Sequence, residues 1–295
     1  MVEWYVLSLI SAVFSAGAAI SQKKILFKES ALGFSLLVAL FNLILAIPFF
    51  FFVEYTTLTT SGILVLFLKS TLGAIAFLFV MLGIKNLEIS EALPLLVLAP
   101  GLVAIFAFIF LGENINKIEI LGLILLIIGT YLLSLKEKQK IKTPFKKAFS
   151  KKGHYYIIFA LIIFTITSIL DKAVLNKFKI PLNAFMGLQH LFFAIVFIGL
   201  LFVTGKKIEF KSALKNSWAW IALVALFTIT YRYTHLLAIK STSVALALSI
   251  KRISVFLAVA VGGALFKDKN LIRKIIATVI IIAGALLIIN GQNWL

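Results

Sequence analysis

The chain has 295 residues, of which 62% are hydrophobic and 14% charged, and its mean hydropathy is +1.12. Its 29 Lys and Arg outnumber 11 Asp and Glu to leave a net charge of +18, and it has no cysteine. This composition excludes a soluble globular domain, and the missing cysteines exclude disulfides, iron–sulfur clusters and thiolate zinc sites.

About 20 apolar residues cross the hydrocarbon core as a helix, and in lipid only helices and closed barrels satisfy their own backbone groups. The apolar runs here are long and lack the period-2 alternation of barrel strands. The expected fold class is therefore an all-α integral membrane protein with ten transmembrane helices. The first run, about residues 4–22, has no basic leader and no small-residue cleavage site, so it reads as a helix and not as a signal peptide. Ser8, Ser11, Ser15 and Gln22 form a stripe along it, of the kind that lets helices pack closely. The second run covers 32–53. The third, 62–84, carries Lys69 a third of the way along, where its side chain either snorkels to the interface or stays at depth. The fourth, 90–112, holds Pro94 and Pro100, which are expected to kink it. It leaves through Gly112-Glu113, where the acid is expected to cap or pair at the loop end. The fifth, 118–135, is punctuated by Gly122 and Gly129.

Residues 136–154 are a lysine-rich linker containing Pro144, and they divide the chain into a first five-helix unit at 1–135 and a second at 155–295. The sixth run, 155–172, places Thr165 and Ser168 on one face and Asp171 at its end beside Lys172. The seventh, 182–204, carries Gln189 and His190 at a third of its depth. On the eighth, 217–238, Thr228, Tyr231, Arg232 and His235 recur at spacings of three and four and share a face. The ninth, 243–266, is apolar or small except for adjacent Lys251 and Arg252 and the nearby Ser254. A cation at a helix centre costs about 2.5–3.5 kcal/mol on insertion scales. Two adjacent ones point about 100° apart, from the 3.6-residue turn, so one partner does not serve both. The tenth run covers 272–290.

The two halves resemble each other at a constant offset of 155 residues: Gly83-Ile-Lys85 falls on Ala238-Ile-Lys240, Leu111-Gly-Glu113 on Phe266-Lys-Asp268, and Gly129 on Gly284. An odd number of spans per half sets the copies in opposite orientations, the plan of two inverted five-helix repeats with a site near the midplane between them. The stretches Ala92-Leu-Pro-Leu-Leu-Val-Leu-Ala-Pro100, Phe110-Leu-Gly-Glu113, Ile120-Leu-Gly122 and Ile128-Gly-Thr-Tyr-Leu-Leu133 resemble the EamA domain of the drug/metabolite transporter superfamily. The second half departs from that pattern, with Lys267-Asp268 in place of Gly-Glu and Val255 in place of the proline. Lys251-Arg252 is in addition similar to the Lys-Arg pair with which the phosphate and nucleotide-sugar translocator branch grips a substrate phosphate. The resemblance implies a multi-pass transporter and leaves the substrate class open.

With the N-terminal side called A and the opposite side B, five lysines lie in side-A loops: Lys117, Lys172, Lys177, Lys179 and Lys240. Twenty Lys and Arg lie in side-B loops, and Lys69, Arg232, Lys251 and Arg252 lie within spans. The loop cations flank apolar runs, so their partner is the anionic lipid surface and not nucleic acid. The asymmetry places side B in the cytoplasm and both termini outside, whereas the resemblance implies cytoplasmic termini. Lys69, Gln189, His190, Arg232, Lys251 and Arg252 fall on one level nearer side A. No acid within the apolar spans is expected at that level, although Arg232 could pair with Asp171 at the end of the sixth span.

The expected function is secondary transport, in the plasma membrane, of a small polar metabolite, with an anionic or phosphorylated solute favoured. Lys251 and Arg252 would hold the anion, Arg232 and Lys69 would add positive field, and Tyr231, Gln189 and His190 would orient the solute. Without a deep carboxylate, exchange of one anion for another fits better than proton coupling. The alternatives are an exporter of amino acids or amphipathic compounds, a lipid-phosphate flippase, or a non-transporting scaffold in which every deep cation is paired internally. No phosphate loop, nucleophile elbow or metal-spaced cluster accompanies His154, His190 and His235, so neither enzyme chemistry nor a cofactor or metal is expected. The GxxxG-like glycines are too scattered to mark a dimer face.

Overall fold

The computed structural model describes residues 2–27, 29–87, 96, 98–134, 152–205, 210–255, 257–258, 261 and 271–290. Among these are ten α-helices: α1 (Trp4–Leu26), α2 (Ala31–Phe50), α3 (Thr60–Asn86), α4 (Ala99–Leu111), α5 (Lys117–Ser134), α6 (Lys152–Lys172), α7 (Leu182–Thr204), α8 (Phe210–Ser241), α9 (Val244–Lys251) and α10 (Leu271–Asn290). Six of the spans are long and apolar enough to cross a membrane. Large apolar side chains such as Phe108, Ile109 and Phe110 on α4, and Phe202 and Val203 on α7, stand exposed. A face of that kind suits lipid and not water.

Local chemistry sets the helix ends. Ser30 accepts from the Gly33 amide at 3.1 Å and Thr59 from that of Gly62 at 3.2 Å, which starts α2 and α3. Asn116 and Glu119 exchange side-chain and backbone bonds at 2.9 and 2.8 Å, a reciprocal capping box that opens α5. Gly112 ends α4 with φ of 66°, a left-handed conformation that suits glycine. That turn delivers Glu113 to the start of α9, where its carboxylate accepts from Ser243 Oγ at 2.8 Å and the Val244 amide at 3.0 Å. Glu113 thus caps and pairs at a loop end, as expected; Asp268 and the linker lie outside the described residues.

The fourth span is helical at Leu96, turns at Leu98 and starts again as α4 with Pro100 in its first turn, so its helix is interrupted beside that proline; Pro94 lies outside the described residues. Two expectations about the helices are corrected. The sixth span does not stop at Lys172 but continues as a π-helix over Ala173–Lys177. The ninth is not one unbroken helix: α9 ends at Lys251, Arg252 forms a turn, and helix resumes at 253–255. The Arg252 amide bonds both the Leu248 and Ser249 carbonyls, and Val255 bonds back to Arg252 at 2.9 Å, a tightening at the charged pair.

Helices of the two halves interleave. α1 packs on α8 and α3 on α6; α2 packs on α8 and α3 on α7; α1 packs on α9 and α4 on α6; and α2 meets α7, α4 meets α9 and α5 meets α10. Exchanging each helix with the one five places along the chain maps this set of contacts onto itself. In the α5–α10 pair, a Cβ on Gly122 would meet the Gly284 carbonyl at 2.7 Å, and one on Gly129 would meet the Ala277 carbonyl at 3.0 Å. The partner number falls as the residue number rises, so the two helices run antiparallel at backbone contact.

Candidate functional site

Four helices bring one ionic cluster together. Asp171 on α6 places Oδ1 2.7 Å from Lys69 Nζ on α3 and Oδ2 3.2 Å from Arg232 Nη1 on α8. Gln189 on α7 accepts at Oε1 from Arg232 Nη2 at 2.5 Å and also from Lys69 Nζ. Arg232 Nη2 donates to both Asp171 oxygens as well, at 3.2 and 3.4 Å. The side chains of Lys69 and Asp171 are 3% and 4% exposed. Lys69 therefore stays at depth and does not snorkel, and its ammonium also lies 4.7 Å from the Phe185 ring centroid.

The expectation that no acid reaches this level is corrected by Asp171. The π-helical extension puts five further helical residues beyond Lys172, so Asp171 is more than a turn from the end of its span. A sequence signal for this existed: Ala173-Val174-Leu175 prolongs the apolar run past the charged pair. The alternative pairing of Arg232 with Asp171 is present.

Beside the cluster lies a cavity of about 210 Å³. All seven residues singled out from the sequence line it: Lys69, Gln189, His190, Tyr231, Arg232, Lys251 and Arg252. Lys251 Nζ stands 4.7 Å from the Tyr231 ring centroid, a cation–π contact. No ion pair among the described residues involves Lys251 or Arg252. Arg252 Nε, both ring nitrogens of His190, His235 Nδ1, Asn42 Oδ1 and Ser35 Oγ have no hydrogen-bond partner among the described residues, and all five side chains line the cavity. Buried polar atoms are ordinarily satisfied, so this wall offers donors and acceptors to a polar guest. Four cationic side chains face one carboxylate, and that carboxylate already serves two of them.

The serine stripe of α1 divides by depth. Ser8 bonds its own helix at Trp4 O, and Ser11 donates to the Tyr231 carbonyl at 2.8 Å, pinning α1 to α8. Ser15 and Gln22 reach the cavity. The cavity's other end is lined by Gln22, Met81 and Ile84, from the side-B halves of α1 and α3, so it runs from the ionic cluster toward side B. At the side-A end of the cavity lie Lys69, Asp171 and Arg232, and nearer side A stands Glu113, 3.7 Å from Lys172. Asn42 and Ser35 on α2 are wall residues that the sequence reading missed, because single small polar residues in an apolar run give no periodic signal.

A family model, the EamA-like transporter family, matches residues 2–135 and again 151–290. No curated protein matches the chain. One solved crystal structure of a protein is similar over 96% of this chain and 95% of its own, with a TM-score of 0.72 at 15% identity, a likeness of fold.

Proposed function

The chain belongs to the EamA-like transporter family, multi-pass membrane transporters of the drug/metabolite transporter superfamily, and from that premise we propose that it carries a small phosphorylated or carboxylated metabolite by alternating access. The observation that carries this reading is the charge in the cavity. Lys251 and Arg252 line it without a carboxylate partner among the described residues, beside Arg232 and Lys69 that share a single one. An anion would relieve four buried cations that are otherwise costly. Size favours the same class: about 210 Å³ is below the roughly 300–1,000 Å³ of drug-sized sites. A scaffold reading needs every deep cation paired internally, and among the described residues Lys251 and Arg252 have no ion-pair partner.

We take the architecture to be two inverted five-helix repeats. The exchange symmetry of the helix contacts and the antiparallel α5–α10 pair support this. So does a matched pair of lysines. Lys23, at the side-B end of α1, donates to the Ile84 and Leu87 carbonyls of α3 at 2.6 and 2.8 Å. Lys172, at the side-A end of α6, donates to the Ile239 and Thr242 carbonyls at and just past the end of α8 at 2.6 and 2.7 Å. Those carbonyls are 155 residues apart, and the two lysines act on opposite faces. Site residues on the line between repeats then see side B in this conformation, while the ionic cluster closes side A. The excess of loop lysines on side B supports a cytoplasmic side B, and the membrane we propose is the plasma membrane.

The test is a thermal-shift screen of purified protein against phosphate esters, carboxylates and amino acids, followed by affinity measurements on variants. Phosphate esters or carboxylates should raise the melting temperature. Lys251→Ala and Arg252→Ala should each cost about 1.5–3 kcal/mol of affinity, the range for charged hydrogen bonds, with folding intact. Unchanged affinity with a loss of stability would overturn the anion site, and stabilisation by amino acids alone would point to an amino-acid exporter.

A further inference from the structure

From the position of Asp171 we propose that this carboxylate is the protein's proton-coupling group, which yields Lys69 and Arg232 to the incoming anion and takes up a proton in exchange, so that anion and proton move together. The proposal rests on the anion reading above and goes beyond it. Asp171 is a built-in anion: it occupies the two cations nearest the closed end of the cavity, with its side chain 4% exposed. A substrate anion seated on Lys251 and Arg252 has Arg232 and Lys69 on the same cavity wall. Its remaining oxygens compete with Asp171 for those donors.

If the anion wins, the carboxylate is left buried without its partners, an arrangement that costs several kcal/mol in a protein interior. Protonation removes that cost. One proton passes from water to a carboxylate oxygen, and the cavity's charge changes by the anion's charge plus one. Among the described residues, Asp171 has no ionic partner besides Lys69 and Arg232. α3 presents Lys69, which the anion would engage, and α4 presents Glu113, which holds Lys172. α7 presents Gln189 and His190. α8 presents Tyr231, Arg232 and His235, and α9 presents Lys251 and Arg252, the remaining cations of the anion site. Loss of the Lys69–Asp171–Arg232 contacts also undoes the inner of the two ionic groups toward side A, so occupancy and opening are linked through the same atoms.

The experiment uses sulfate and acetate, one for each anion chemistry, because neither exchanges a proton near neutrality. Titration calorimetry of the purified protein in buffers of differing ionisation enthalpy gives the protons taken up per anion bound. Wild type should take up close to one, and infrared difference spectra on adding the anion should gain a protonated-carboxyl band. Asp171→Asn should lose both signals and bind the anion about tenfold more tightly, the equivalent of one charged hydrogen bond freed from internal competition. Lys69→Gln combined with Asp171→Asn preserves the charge balance, and should likewise lose the proton if the single variant does not fold. Anion binding with no proton uptake and no carboxyl band in wild type overturns this inference alone. Proton uptake that survives in either variant assigns it to another group, such as His190 or His235, and overturns it too. Failure of both anions to bind wild type overturns the anion site itself.

Discussion

Replacing Lys23 and Lys172 by methionine tests whether the two halves are built alike. Methionine keeps most of the aliphatic stem and removes the ammonium. Lys23 then loses its bonds to the Ile84 and Leu87 carbonyls, and Lys172 those to Ile239 and Thr242. A charged hydrogen bond contributes about 1.5–3 kcal/mol net, and a cation at a helix C-terminus about 0.3–1 kcal/mol. Water reaches freed carbonyls near the interface, and bonds between membrane helices average nearer 0.6 kcal/mol. The expected loss for Lys23→Met is therefore about 1.5–2.5 kcal/mol. For Lys172→Met the expected loss is about 1.5–2.5 kcal/mol from its two carbonyl bonds and up to about 1 kcal/mol from Glu113, which it faces at 3.7 Å with both side chains 13% exposed. That change leaves Glu113 Oε1 without its cation, while Ser243 and the Val244 amide still hold Oε2. At about 2–4 °C per kcal/mol for a domain of some 200 residues, Lys23→Met should lower the melting temperature by about 3–10 °C. Tryptophan fluorescence in detergent at a fixed scan rate measures it, with Trp4, Trp218 and Trp220 as reporters. A Lys23→Met variant that melts with wild type, while Lys172→Met falls, would refute the equivalence of the two caps.

Gly284→Val should destabilise by about 1–3 kcal/mol or more, because its Cβ would meet the Gly122 carbonyl at 2.7 Å and the Leu126 amide at 2.8 Å, both backbone. Gly199→Ala on α7 meets nothing within 4 Å and should be neutral or stabilising by up to about 1 kcal/mol; the same melting assay reads both. Arg252→Lys keeps the charge and loses the planar fork, so the affinity for a phosphate ester should fall about fivefold or more in the titration that detects wild-type binding. Glu113→Ala should lower stability by about 2 kcal/mol through loss of the α9 cap, and Glu113→Gln by about half that, since one acceptor oxygen remains.

Depth was legible in the sequence because it is a one-dimensional quantity. Counting residues from the ends of apolar runs placed Lys69, Gln189, Arg232 and Lys251 on one level, and helical rise carries that count into space with an error of about a turn. The four do converge on one cavity. Asp171 was misplaced because a depth count inherits the error of the helix end: the charged Asp171-Lys172 reads as a span end, while the apolar Ala173-Val174-Leu175 carries the helix on through a π-turn. The turn at Arg252 was hidden for a related reason. Lys251-Arg252 lies in an apolar run without glycine or proline beside it, so the interruption follows from the tertiary setting of the charges and not from chain stiffness. Arg232's pairing was left open because the sequence gives the levels of the helices and not their azimuths.

The main helix contacts recur between the two halves, yet the chemistry does not. Among the described residues, Asp171, Gln189, His190, Arg232, Lys251 and Arg252 come from the second half, and Lys69 alone among the charged lining residues comes from the first. The first half supplies mainly wall: Ser35 and Asn42 on α2, and Phe77, Met81 and Ile84 on α3. The π-turn after Asp171 and the turn at Arg252, beside the charged residues, also belong to the second half. A guest held at Lys251 and Arg252 is therefore held by one half, and a rocking motion would carry it relative to the other. Lys69–Asp171, at 2.7 Å, and Glu113–Lys172, at 3.7 Å, are the ionic contacts that join the two halves among the described residues, and such a motion would act on both. A contact across such a boundary must be made in one state and broken in the other. An ion pair suits that task better than an apolar contact, because either member can be satisfied separately, the lysine by the anion and the aspartate by a proton.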